Sequence, residues 1–118
     1  MVVREGHDDT GTVDRVFAAL ADPTRRDIVS RVLRQEASVS TLAQGYPMSF
    51  AAVQKHVAVL ERARLVTKER RGREQVVHGD VDTIRAARRL LDQYEELWRG
   101  RVDRITELLD PPTEGEAP

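Results

Sequence analysis

A mainly helical domain carrying one small β-hairpin is the fold class this sequence predicts, on three observations. Only five of its 118 residues are aromatic, against 33% charged and 40% hydrophobic, a balance more typical of helical than of sheet-rich chains. Asp22, Ser38 and Ser49 each stand before an apolar stripe of helical period, where an N-cap belongs. Two β-prone runs, "LVTKER" and "EQVVHG", flank "RGR", the pattern of two strands joined by a tight turn.

A chain of this length closes one hydrophobic core. Residues 12–110 are expected to form that domain, between a disordered polar lead (1–11) and a disordered acidic, Pro-rich tail (111–118). Val13, Val16, Phe17 and Leu20 share a stripe, giving a first helix cut off at Pro23, which has no N–H to donate. Asp22 and Pro23 then serve as N-cap and first position of a second helix, with Ile28, Val29, Val32 and Leu33 inward and an end near Gln35. Ser38 caps a helix of two turns whose apolar side is Val39, Leu42 and Ala43, ended by Gly45 and Pro47. Ser49 caps the next, where Val53, Val57 and Leu60 define the inward stripe and Phe50 and Ala63 can add to it. Gly72 supplies the positive φ of the hairpin turn. From Val81 to Leu109 there is no proline, which predicts one helix of about 40 Å.

Two short helices around a tight turn, then a basic-tipped hairpin, make a winged helix-turn-helix, whose second helix lies in the DNA major groove. With the valines and Leu60 inward, Ala51, Ala52, Gln54 and Lys55 remain near the outer side, with Phe50 at the helix start. Gln bonds adenine bidentately, Lys reaches guanine or phosphate, and alanine touches a thymine methyl. Ser49 can offer its hydroxyl to phosphate as well as cap the helix, and His56 either contacts phosphate or sits half-buried against the core. Lys68, Arg70, Arg71 and Arg73 of the hairpin would hold the flanking backbone or minor groove. Gln54 and Lys55 taken alone would equally suit an ordinary wet helix face; the succession of caps, helices and hairpin favours DNA.

The net charge of −1 speaks against a nucleic-acid partner, but its distribution does not. Ser49 to Gln75 holds seven basic residues and three acidic ones, a local charge of +4 that leaves −5 for the rest of the chain. The absence of cysteine excludes disulfides and thiolate chemistry. No apolar run approaches the roughly 20 residues of a membrane span and the start lacks a signal-peptide pattern, so a cytoplasmic location is expected. No nucleophile-base spacing, phosphate loop or paired carboxylates suggest an enzyme.

"VFAALADPTRRDIVSRVL" followed by "SVSTLAQGYPMSFAAVQKHVAVLERARLVTKERRGREQ" resembles the ArsR/SmtB-type winged-helix transcriptional repressors, over roughly Val13 to Leu109. Ser49, Val53, His56, Leu60, Ala63, Leu65 and Val66 hold positions of that family's recognition motif. Val57 stands where Leu is usual and Arg64 where Gly is usual, putting a non-glycine residue at a left-handed helix end. The resemblance implies a repressor on a double-stranded DNA operator, with regulation of its own promoter. Metal-sensing relatives place cysteines on the first short helix or His and carboxylates on the last helix. Here the former reads "VSTLAQ" and the latter has no histidine, while His78, Asp80 and Asp82 at the foot of the wing are expected to be solvated. The likeness is therefore to the branch without metal ligands; no metal or cofactor is expected, and the sequence names no effector.

Ile84, Ala87, Leu91, Tyr94, Trp98, Ile105 and Leu108 follow steps of three and four along the last helix, interrupted where Arg101 falls and Val102 is apolar instead, and present more apolar surface than one small domain covers. A homodimer is expected through Ile84, Leu91, Tyr94, Trp98, Val102 and Ile105. Val16 and Leu20 of the first helix join them, as the resemblance implies. Twofold symmetry predicts an inverted-repeat operator with half-sites about 34 Å apart. The competing expectation is a dimeric winged-helix module that docks an acidic protein and binds DNA without specificity.

Overall fold

The computed structural model describes the backbone of residues 4–109 and the side chains of residues 11–109. In chain order the elements are α1 (Arg4–Leu20), α2 (Pro23–Arg34), β1 (Ala37–Ser38), α3 (Val39–Gln44), α4 (Phe50–Arg62), β2 (Val66–Arg71), β3 (Glu74–Gly79) and α5 (Val81–Leu109). The strands form one antiparallel sheet in the order β1-β3-β2. The fold is a winged helix-turn-helix, with α3 and α4 as the two helices and β2-β3 as the wing.

α1 starts at Arg4, inside the stretch expected to be a disordered lead; no proline precedes Val13, and once nucleated each added residue gains a backbone bond. The expected tail lies outside the described residues. The α1-α2 corner explains the run "DPTRR". Asp22 accepts the Arg25 N–H at 3.0 Å, and Pro23 occupies the first helical turn. Arg25 Nε then donates to the Ala19 carbonyl at 2.7 Å, its Nη2 to that of Ala18 at 3.4 Å, and Arg26 Nη1 to that of Leu20 at 2.8 Å. These carbonyls end α1 and have no partner within it, so two cations from α2 satisfy them at the negative end of the helix dipole.

Ser38 caps α3 by accepting the Thr41 N–H at 3.0 Å. The turn that follows is tied back to α2: the Tyr46 hydroxyl donates to Asp27 at 2.6 Å, Arg31 pairs with the same carboxylate at 3.1 Å, and its guanidinium lies 4.8 Å from the Tyr46 ring centre. Burial, with the Asp27 bond second, pushes the Tyr46 phenol up to about 12, and the Tyr46 bond holds Asp27 below the usual carboxylate range. Ser49 caps α4 at 3.0 Å through the Ala52 N–H. At its other end Leu65 N–H donates to Leu60 O at 3.0 Å and Arg64 N–H to Glu61 O at 2.9 Å, a Schellman closure with Leu60 and Leu65 both fully buried. Arg64 takes φ +64° there, in the left-handed region usually left to glycine.

β2 and β3 pair from Val66–Gly79 to Arg71–Glu74, leaving a two-residue loop that opens with Gly72 at φ +66°. β1 is absent from the sequence-based prediction. Two residues carry no alternation to detect, and only pairing of Ala37 with Val77 and Ser38 with Val76 makes them a strand.

The core is wholly aliphatic: Val16, Ile28, Leu42, Val53, Val57, Leu60, Leu65, Val66 and Val77 are its largest fully buried side chains. Two inward assignments are corrected. Phe50 is 47% exposed although it lies three and seven residues before Val53 and Val57 on the same face; it is the first residue of α4, where the buried stripe ends. Leu33 is exposed as well, lying over the end of β3, where a Cβ on Gly79 would come within 2.5 Å of its Cδ2 methyl. Ala63 does join the core. The described residues divide into two units, one up to residue 87 and one from residue 88. The described part of the second is the remainder of α5, about 33 Å of helix.

Candidate nucleic-acid interface

Residues 49 to 56 occupy the first two turns of α4. Ser49 holds the helix start, Phe50, Ala51, Gln54 and Lys55 are exposed, and Ala52 is half-exposed. Val53 and Val57, wholly buried, fix which way the others face. His56 is half-buried, and Arg25 Nη1 lies 3.3 Å from its Nδ1. That contact ties α4 to the corner between α1 and α2.

The hairpin cations divide into two groups. Lys68 Nζ is 3.5 Å from Glu61, a link between β2 and α4. Arg71 is held by two carboxylates, Glu36 at 2.6 Å and Glu69 at 2.9 Å. His78 completes the cluster, its Nδ1 3.0 Å from Glu36 and its Nε2 2.9 Å from Glu69. The Arg71 bond first holds Glu36 below the usual carboxylate range; for Glu69 the His78 bond leads and Arg71 follows; both carboxylates push the Arg71 guanidinium up. The cluster pins the wing to the residue before β1. The ring nitrogens of His78 point to opposite carboxylates and cannot converge on one ion; among the described residues no group of His, Asp and Glu is arranged for a metal.

Arg70 donates from Nε to the Gly72 carbonyl at 3.0 Å, which props it across the turn, and Arg73 sits in the turn itself. Among the described residues, Lys55, Arg62, Arg64, Arg70 and Arg73 form no ion pair with a carboxylate, so their fields reach solvent uncompensated. Of these, the sequence assigns Lys55, Arg70 and Arg73 to DNA, and Arg62 and Arg64 enter only its count of local charge. Sequence reasoning missed Glu36, whose partner is 35 residues away, and Arg25, which "DPTRR" displayed without showing what it touches.

The residues expected at a dimer interface also separate. Val16 is corrected: at 1% exposure it belongs to the domain's own core, and the large apolar side chain α1 leaves outside is Phe17. Leu20 and Ile84 are half-buried against that core. Leu91, Tyr94, Trp98, Val102 and Ile105 lie along α5 at steps of three, four, four and three, and all are exposed, Trp98 by 59% and Tyr94 by 58%. Among the described residues no helix is long and apolar enough to cross a membrane.

A helix-turn-helix domain family matches residues 20–69. The chain is 37% identical over 97 residues to the HTH-type transcriptional regulator Rv2034 of Mycobacterium tuberculosis, covering 82% of this chain and 88% of that one. Its fold is similar to the crystal structure of an ArsR family transcriptional regulator, RHA00566, with a TM-score of 0.72 and 31% identity over 76% of this chain and 93% of that one. It is similar in fold to the homodimeric winged helix-turn-helix DNA-binding domain of Mb0332 from Mycobacterium bovis, with a TM-score of 0.63 and 23% identity over 81% of this chain and 89% of that one.

Proposed function

The chain belongs to the ArsR/SmtB-type winged helix-turn-helix transcriptional regulators, and from that premise we propose that it is a repressor that binds an inverted-repeat operator as a homodimer. The observation that carries this is the capped, outward-facing start of α4. Ser49 fixes the helix end, Val53 and Val57 fix its rotation, and Gln54 and Lys55 are thereby presented with no carboxylate pairing among the described residues. Helix N-termini favour phosphate, and a Gln-Lys pair beside Ala51 and Ala52 suits base edges in a groove. Arg70 and Arg73 supply contacts to the flanking backbone. The bare stripe from Leu91 to Ile105 supports a second copy as the partner, in keeping with the homodimeric Mb0332 domain. Autoregulation, an intracellular site of action and the lack of a catalytic role belong to the same reading.

The experiment is fluorescence anisotropy of the whole chain on its own upstream DNA and on a scrambled duplex. A preference on the order of 10³-fold is expected of a specific regulator, and Gln54→Ala should change which sequences are preferred rather than weaken all of them equally. Equal, weak binding to both duplexes, unaltered by Gln54→Ala, refutes the reading and favours a protein partner for the same surface.

A further inference from the structure

A pocket of about 380 Å³ lies among α1, α2 and the C-terminal end of α4, away from the residues assigned to DNA. Ala19 and Ala63, both buried, and half-buried Val59 give it an apolar lining, while Arg15, Arg25 and Arg62 border it. Among the described residues none of these three guanidiniums pairs with a carboxylate. Cations around an apolar lining complement a molecule with an anionic head and an apolar body. The volume lies near the lower end of the roughly 300–1,000 Å³ of small-molecule sites, which favours a small acid over a nucleotide.

We propose that this pocket binds a small amphipathic organic carboxylate and that its occupancy is felt at the reading end of α4. Arg25 carries the connection. It borders the pocket, closes the end of α1 through the Ala18 and Ala19 carbonyls, and reaches His56 Nδ1 at 3.3 Å. His56 shares a helical turn with Gln54 and Lys55. Arg62 lies eight residues beyond Gln54, about 12 Å along the axis, so acid and DNA occupy opposite ends of one helix and can be bound together. A carboxylate is a stronger acceptor for a guanidinium than an imidazole nitrogen is. A bound acid therefore draws Arg25 from His56, loosens the seating of α4 and lowers affinity for DNA; by linkage, DNA weakens the acid by the same factor.

The coupling rests on the DNA-binding function proposed above, whereas the pocket does not, so the first test contains no DNA. The whole chain is titrated with hexanoate and with benzoate under amide-resolved NMR, with hexanamide, benzamide and inorganic phosphate as controls. Saturable shifts at Ala18, Ala19, Val59 and Ala63 are expected from the two acids alone. They should vanish in Arg15→Ala/Arg62→Ala, whose exposed side chains can be removed without disturbing the rest of the spectrum. No saturable shift from either acid, equal shifts from the amides or from phosphate, or shifts that survive in the double variant overturn the site. In a second arm, saturating hexanoate should weaken DNA binding by about 5- to 150-fold in the native chain and not in the double variant. An acid that binds without changing DNA affinity overturns the coupling and leaves the pocket standing. A chain that binds the acid but no duplex overturns the coupling together with the DNA reading.

Discussion

Replacing Arg71 by alanine is expected to leave the salt dependence of DNA binding almost unchanged, although Arg71 stands at the tip of a basic wing. Each phosphate neutralised by a protein cation releases condensed counterions and adds about 0.9 to the slope of log affinity against log salt. Over a fourfold rise in salt that amounts to about 3.5-fold in affinity per contact. Arg71 is already neutralised by Glu36 at 2.6 Å and Glu69 at 2.9 Å, so it has little charge to offer a phosphate. Arg73 has no such partner among the described residues, and Arg73→Ala should lower the slope by about 0.9. Glu36→Gln is the converse perturbation: relieved of one carboxylate, Arg71 can turn to DNA, and the slope should rise by up to the same amount. The assay is anisotropy at several salt concentrations on upstream and scrambled duplexes, since phosphate contacts act on both alike. If Arg71→Ala lowers the slope as far as Arg73→Ala does, Arg71 abandons its carboxylates when DNA arrives and the division of the wing cations drawn from the free protein is refuted.

Three further outcomes follow from the same geometry. Arg64→Gly should stabilise the protein by about 0.5–1 kcal/mol, the left-handed penalty less the extra chain entropy of glycine, or roughly 2–4 °C in Tm at fixed protein concentration; an equal gain from Arg64→Ala would show that strain at φ +64° is not the cause. The raised Tyr46 phenol and the lowered Asp27 carboxyl mean that their bond contributes in full from above the usual carboxylate range up to about pH 10; it is lost in acid as Asp27 protonates and in base as pH rises through about 12. A spectrophotometric titration should therefore show one tyrosine ionising late, a step that Tyr46→Phe removes at a cost of about 0.5 kcal/mol; persistence of the late step in that variant would contradict the assignment. Trp98→Asp should raise the dimer dissociation constant by about 30-fold or more in sedimentation equilibrium, and an undiminished dimer would move the interface off the stripe that Trp98 centres.

What the sequence discloses here is what adjacent residues decide. Asp22-Pro23, Ser38 and Ser49 start helices by bonding N–H groups three residues on, Gly72 turns a two-residue loop by its own torsion, and an unbroken stripe without proline gives α5 its extent. Each of these is written within a few positions. The pairings that assign charges to their tasks are not: Arg71 meets Glu36, and Arg25 meets His56, across more than thirty residues of chain. Periodicity likewise places Val16 on an apolar stripe but does not say whether the stripe meets its own domain or another. Charge counting over a window had the right sign for the wing. It overstated the cations left for a partner, because it could not see the carboxylates that fold back onto them.

The exposed apolar stripe of α5 also bears on how such a regulator answers to its own abundance. If the active species is assembled from two chains, its concentration rises with the square of the chain concentration wherever monomers predominate. A modest dilution of the protein, as during growth after synthesis has stopped, then empties its binding site more steeply than a single-chain regulator would allow. Leu91, Tyr94, Trp98, Val102 and Ile105 would in that case set a dose threshold as much as they join two molecules.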